Sequence, residues 1–75
     1  MIDRTGQVWM DGDGDIFLVM SSTWSDGHIV HKTIMMSVIS DGYGIVPGQL
    51  FPYFEVDDRW EDRANSTGFR MQRIL

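Results

Sequence analysis

The chain contains no cysteine, so neither a disulfide framework nor a thiolate metal site can support its fold. Positive charge is scarce: six Lys and Arg stand against eleven Asp and Glu, for a net charge of −5. That balance argues against direct binding to nucleic acid, which needs cations to displace phosphate counterions. Long apolar runs are missing as well. The longest, Ile16-Phe17-Leu18-Val19-Met20, falls far short of the roughly 20 residues of a membrane span. Asp3 and Arg4 follow Met1-Ile2, where a secretory segment would carry its apolar core. The expectation is a cytoplasmic protein with no membrane partner, and the lack of cysteine fits a reducing compartment.

What is present is enough for one domain over residues 1–75, and a thin one. A chain of this length buries only roughly 60% of the surface it exposes when unfolded. Stability must therefore come from a tightly closed sheet or from self-association. The apolar fraction of 43% is ordinary, so disorder is not indicated.

The organising stretch is Gly6–Ser22, where Asp-Gly pairs separate two apolar segments. Asp-Gly between strand-like segments signals a hairpin, because its turn needs positive φ and Gly supplies it without steric cost. Gln7–Met10 reads as a first strand and Asp15–Ser22 as a second. The second is apolar on both faces, with Ile16, Leu18 and Met20 one way and Phe17 and Val19 the other. Such a strand is central or covered on its outer side. Leu18 is the expected inward residue, which leaves Phe17 as a lid at the barrel mouth or part of a contact surface. After the turn at Ser25-Asp26-Gly27, His28–Ile39 is the longest strand candidate. Val30, Ile34, Met36 and Val38 share one parity, broken by Lys32, and form its expected core face. His31, Thr33, Met35 and Ser37 take the other.

Ser40–Gly44 is a third turn, and Ile45-Val46 begins a short strand that Pro47-Gly48 interrupts. Gln49–Val56, broken by Pro52, reads as an irregular edge strand or ordered loop. Asp57–Asn65 is the one plausible helical turn: Asp57 or Asp58 caps it and Glu61 follows three residues after Asp58. Glu55 and Arg59 sit at an i,i+4 spacing. Phe69–Leu75 closes the sheet. The predicted fold is all-β: a five-stranded meander closed as a small SH3-like barrel, with one helical turn before the last strand.

Chemical motifs are few. Asp11-Gly12-Asp13-Gly14-Asp15 alternates carboxylates like the start of a calcium loop. Yet counting from Asp11 puts Ile16 where the turn glycine belongs and Ser22 where the bidentate glutamate belongs. It reads as a solvated hairpin tip, and no metal site or cofactor is expected. His28 and His31 point to opposite strand faces and cannot easily share a metal, so they read as surface or edge residues. Ser21, Ser22, Ser25, Ser37, Ser40 and Ser66 lack a strand–elbow–helix context. No catalytic residue is assigned.

Gly6-Gln7-Val8-Trp9, followed by Phe17-Leu18-Val19-Met20-Ser21-Ser22, resembles the opening of the PemK/MazF-type toxin fold. The resemblance implies an SH3-like barrel and an endoribonucleolytic family that uses an arginine before the second strand and a hydroxyl residue after it. Here Gly14-Asp15 stands at the arginine's place, and Ser21 or Ser22 would be the hydroxyl. The activity is not carried over. The Trp-containing, Asp-Gly-rich style also resembles short proteins of bacteriophages and their actinobacterial hosts.

The aromatic residues Tyr43, Tyr53, Phe54 and Trp60 fall in turns, beside Pro52, or on the expected helical turn. Exposed aromatics on loops of a small barrel form a recognition surface. The functional expectation is a non-catalytic module that binds a protein partner through these four residues, with Asp57, Asp58 and Asp62 favouring a basic one. Two alternatives accompany it. One is an acidic phage-type inhibitor of a host nucleic-acid-binding protein; the other is a toxin-type ribonuclease relative that lacks its arginine.

Overall fold

The computed structural model describes residues 3–39, 44–56, 59–61 (backbone only) and 71–75. The chain is all-β. Its strands are β1 (Val8–Met10), β2 (Ile16–Ser25), β3 (His28–Ser37), β4 (Leu50–Val56), β5 (Arg59–Glu61) and β6 (Gln72–Arg73). They form one antiparallel sheet in the order β5-β4-β3-β2-β1-β6. No pairing joins β5 to β6 among the described residues, so the sheet is open rather than closed. Its Cα radius of gyration is 11.4 Å, against about 11 Å for a compact domain of this length.

Two turns follow the Asp-Gly signals with one variation, and the third expected turn, Ser40–Gly44, lies outside the described residues except for Gly44. At the β2–β3 tip both Asp26 (φ +47°) and Gly27 (φ +85°) are left-handed, the two-residue type I′ geometry that suits a twisted hairpin. In the first turn only Gly14 takes positive φ (+89°). There the Gly14 N–H donates to the Asp11 carbonyl at 3.0 Å, and Asp11 N–H donates to Asp15 at 2.9 Å. This is a turn followed by one left-handed residue, not a type I′ turn.

The face assignments differ from the sequence expectation, and the differences share a cause. Phe17 and Val19 are buried, whereas Leu18 is only half-buried and faces the other way. Phe17 is thus the middle of the core rather than a lid or contact residue. On β3 the inward residues are Ile29, His31, Thr33 and Met35, while Lys32 and Met36 are exposed. Hydropathy alone selects the opposite parity. The inward polar groups are tolerable because each has a partner: the Thr33 hydroxyl donates to the Phe51 carbonyl at 2.8 Å, and His31 is bonded at both ring nitrogens. A buried polar group with its hydrogen bonds made loses the penalty that would otherwise turn it outward.

Two register shifts complete the arrangement. Val19 pairs with Thr33 but Ser21 pairs with Lys32, so Met20 is an extra residue. A bulge of one residue exchanges the faces of everything beyond it. Phe17 and Val19 face inward before Met20, and Ser22 lies opposite His31 after it. The second shift lies between the pairs Ile16–Ser37 and Phe17–Met35, which makes Met36 an extra residue on β3.

The core is Phe17, Val19, Met35 and Tyr53, with Trp9, Val38, Ile45, Phe51 and Met71 packed against it. The Phe17 and Tyr53 rings stack at 4.2 Å and 15°, and Phe51 tilts against Tyr53 at 5.0 Å. β4 is an ordinary strand between β3 and β5, not an irregular edge. Its pairing with β5 covers Phe54–Val56, so among the described residues Pro52 has a strand only on its β3 side. That is how proline, lacking an N–H, fits a sheet. Ile45-Val46 is not a strand, because Pro47 and Gly48 (φ +85°) turn the chain there. Gln49 N–H donates to the Val46 carbonyl at 3.1 Å, and positive φ at the third residue with Pro at the second marks a type II turn. The expected helical turn at Asp57–Asn65 is corrected over 59–61, which is strand β5. The remainder of that segment lies outside the described residues.

Candidate functional site

The sheet positions two polar constellations inside and one apolar surface outside. The first constellation crosses three strands from the N-terminal segment. Ser22 on β2, His31 on β3 and Glu55 on β4 lie side by side because Ser22 pairs with His31 and the inward parity of β4 carries Tyr53 and Glu55. The Arg4 guanidinium grips Glu55 through both carboxylate oxygens, Nε to Oε1 and Nη2 to Oε2, each at 2.8 Å. His31 Nε2 lies 2.7 Å from Glu55 Oε1, and Ser22 Oγ lies 2.7 Å from His31 Nδ1. The Arg4 backbone N–H closes the row by donating to Ser22 Oγ at 3.0 Å.

Proton positions follow from this wiring. An ionised carboxylate only accepts, so His31 Nε2 carries the hydrogen that Glu55 receives, and Nδ1 accepts from the Ser22 hydroxyl. Burial pushes the His31 pKa below 6.5, outweighing the hydrogen bond and charge of Glu55 that pull it up. For Glu55, burial pushes upward, but hydrogen bonds and charge from Arg4 and His31 win and hold it below 4.5. The neutral imidazole and the ionised carboxylate are therefore the resident forms at pH 7.

Serine, histidine and carboxylate in a row is the order of a nucleophile, a base and its orienting group. The surroundings of the row are closed and internally paired. The side chains of His31 and Glu55 have no exposed surface, and both ring nitrogens of His31 are engaged within the row. Glu55 already has its charge matched by Arg4, which weakens its support for an imidazolium. Arg4 also lies over the Trp9 ring at 4.8 Å, and the Gly6 N–H donates to Val19 at 2.8 Å. These contacts clamp the N-terminal segment across the inner face.

The second constellation is the first turn, expected to be a solvated tip. Asp11 and Asp15 are instead 5% and 2% exposed. Asp11 Oδ1 accepts the N–H groups of Asp13 and Asp15 at 3.0 Å each, and its Oδ2 accepts the Tyr53 hydroxyl at 2.9 Å. Asp15 Oδ1 accepts the Ile39 N–H at 2.8 Å. The turn thus fastens the first hairpin to β4 and to the exit of β3. Oxygens of Asp11, Asp13 and Asp15 all lie within 4.8 Å of one another, but a cation there would compete with hydrogen bonds already made.

Of the four expected contact residues, Tyr53 is 2% exposed and belongs to the core. The reading failed because proline beside an aromatic suggested a loop, whereas Tyr53 sits mid-strand with a buried acceptor for its hydroxyl. Phe54 is half-buried on the outer face and tilts against His28 at 5.3 Å. Tyr43 and the side chain of Trp60 lie outside the described residues. Trp24 is 60% exposed at the β2–β3 tip. Glu55 pairs with Arg4 and His31, while the side chain of Arg59, its expected helical partner, lies outside the described residues; His31 is a core residue rather than a surface one.

The outer surface is the reverse face of β3 and β4. Its cross-strand pairs are Val30 with Phe54, Lys32 with Pro52 and Ile34 with Leu50. Leu50 is 51% exposed and Met36 54%. An open groove of about 310 Å³ is lined by Val30, Lys32, Leu50, Phe51 and Pro52. No helix among the described residues is long and apolar enough to cross a membrane. Comparison of the chain with protein-family models, with curated proteins and with solved structures finds no match.

Proposed function

We propose that the chain is a non-catalytic interaction module that binds a protein partner on the outer face of β3 and β4. One observation carries this reading: the apolar side chains Val30, Ile34, Leu50 and Phe54 pair across β3 and β4 on the face turned away from the core, with Leu50 more than half exposed. Scattered exposed apolar residues need no explanation, but a contiguous apolar patch marks an interaction surface. A sheet fixes such a patch rigidly, which lowers the ordering cost of association. The antiparallel strand order is compatible with an SH3-like barrel, and we take that as its frame. The alternative of an acidic inhibitor is less favoured, since Asp11, Asp15 and Glu55 turn inward and offer a partner no charge.

Retention of a partner from bacterial lysate, compared between the wild type and Leu50→Asp, tests the reading. Leu50 is exposed, so the substitution should leave the circular dichroism spectrum and melt unchanged while abolishing retention. Equal retention by both proteins would move the contact surface elsewhere, with exposed Trp24 the next candidate.

A further inference from the structure

Lys32 is the one lysine of the chain, and it stands in the middle of this apolar face, between Val30 and Ile34 and opposite Pro52. Its side chain is exposed, and among the described residues no carboxylate lies within ion-pair distance of it. A solitary cation in an apolar groove is costly to cover with anything that leaves it unpaired. We propose, building on the interaction reading above, that the groove takes a short apolar partner segment bearing a single carboxylate, which seats against Lys32. The apolar side chain fills the groove of about 310 Å³ and the carboxylate meets the ammonium.

Charge decides among occupants. A second copy packed face to face about a two-fold axis would bring Lys32 towards its own counterpart, and like charges juxtaposed at an interface are penalised. Two chains at −5 each also repel. A basic segment, the partner expected from the acidic composition, meets the same ammonium. A strongly acidic segment is opposed by the net charge of the domain. One carboxylate on an otherwise apolar segment satisfies the local charge and avoids the global repulsion.

The test uses acetyl-Leu-Leu as the free acid and as its C-terminal amide, each titrated into the full chain. Methyl resonances of Val30 and Leu50 report binding. The free acid should bind about three- to fivefold more tightly than the amide, the size of a partly exposed ion pair. In Lys32→Glu, whose exposed site leaves the fold intact by circular dichroism, the order should reverse. Equal affinities of acid and amide in the wild type would overturn the carboxylate while leaving apolar docking standing. No shift at Val30 or Leu50 with either peptide would overturn both. Shifts of these methyls with protein concentration alone would make the occupant a second copy, and would also overturn the proposal.

Discussion

Tyr53→Ala is expected to leave the protein unfolded, or nearly so, at 25 °C. The ring is 2% exposed and stacks on Phe17 at 4.2 Å, and removing a buried aromatic to alanine costs about 3–5 kcal/mol. Its hydroxyl also donates to Asp11 Oδ2 at 2.9 Å, so truncation leaves a carboxylate oxygen without that donor in a nearly dry site. An unsatisfied buried acceptor adds about 1–3 kcal/mol. Against a total stability of about 5–15 kcal/mol for folded domains, with small ones at the low end, the sum is decisive. Tyr53→Phe separates the two effects: it keeps the stack and should lose only the hydrogen-bond part. Urea unfolding followed by circular dichroism measures both. A near-native midpoint for Tyr53→Ala would place the ring on the surface, as the sequence suggested.

Glu55→Ala should be almost as damaging, and for a different reason. The substitution removes the acceptor that Arg4 and His31 share, so the partly buried guanidinium loses its bidentate carboxylate. Removing one member of a buried ion pair costs about 3–5 kcal/mol, because the uncompensated charge remains. Acid should reproduce part of this loss in the wild type. The His31 pKa is depressed by folding, so the unfolded chain takes up that proton first and stability falls as the pH drops below about 6.5. Glu55 is also depressed; its contribution is complete above about 4.5 and is lost as the pH falls through its folded value. Melting temperature should therefore decline from neutral pH downward, beginning before ordinary carboxylates titrate. His31→Gln should remove the early part of the decline. A melting temperature flat between pH 7 and pH 5 would contradict the buried imidazole.

The first two turns and most of the described strands were legible because their signals are local. Asp26-Gly27 needs left-handed backbone at both positions, and only a tight hairpin uses it. β2, apolar on both faces, was legible as a central strand. What the sequence concealed depends on contacts far apart in the chain. Bulges at Met20 and Met36 shift parity without changing composition. His31, Thr33 and Glu55 enter the interior because Ser22, Phe51 and Arg4 meet them there, and hydropathy has no means of pricing a hydrogen bond 18 or 51 residues away. Tyr53 was misplaced by its proline neighbour, and Asp11 and Asp15 by the habit of reading acidic turns as solvated. One usable sign was present: Tyr53 and Glu55 share a strand face, as do His31 and Thr33, and two polar-tipped pairs on adjacent strands suit a bonded interior better than a wet one.

The central claim is that β3 turns its polar parity inward and its apolar parity out, and its adjacent methionines test this most directly. Met35 is 1% exposed and Met36 is 54% exposed. A neutral, soluble gadolinium chelate broadens methyl resonances in proportion to their access to solvent. The Met36 methyl should broaden strongly, together with those of Leu50, while Met35 and Val19 stay sharp. A broadened Met35 beside a protected Met36 would contradict the account, returning Val30 and Ile34 to the core and leaving no apolar face for a partner.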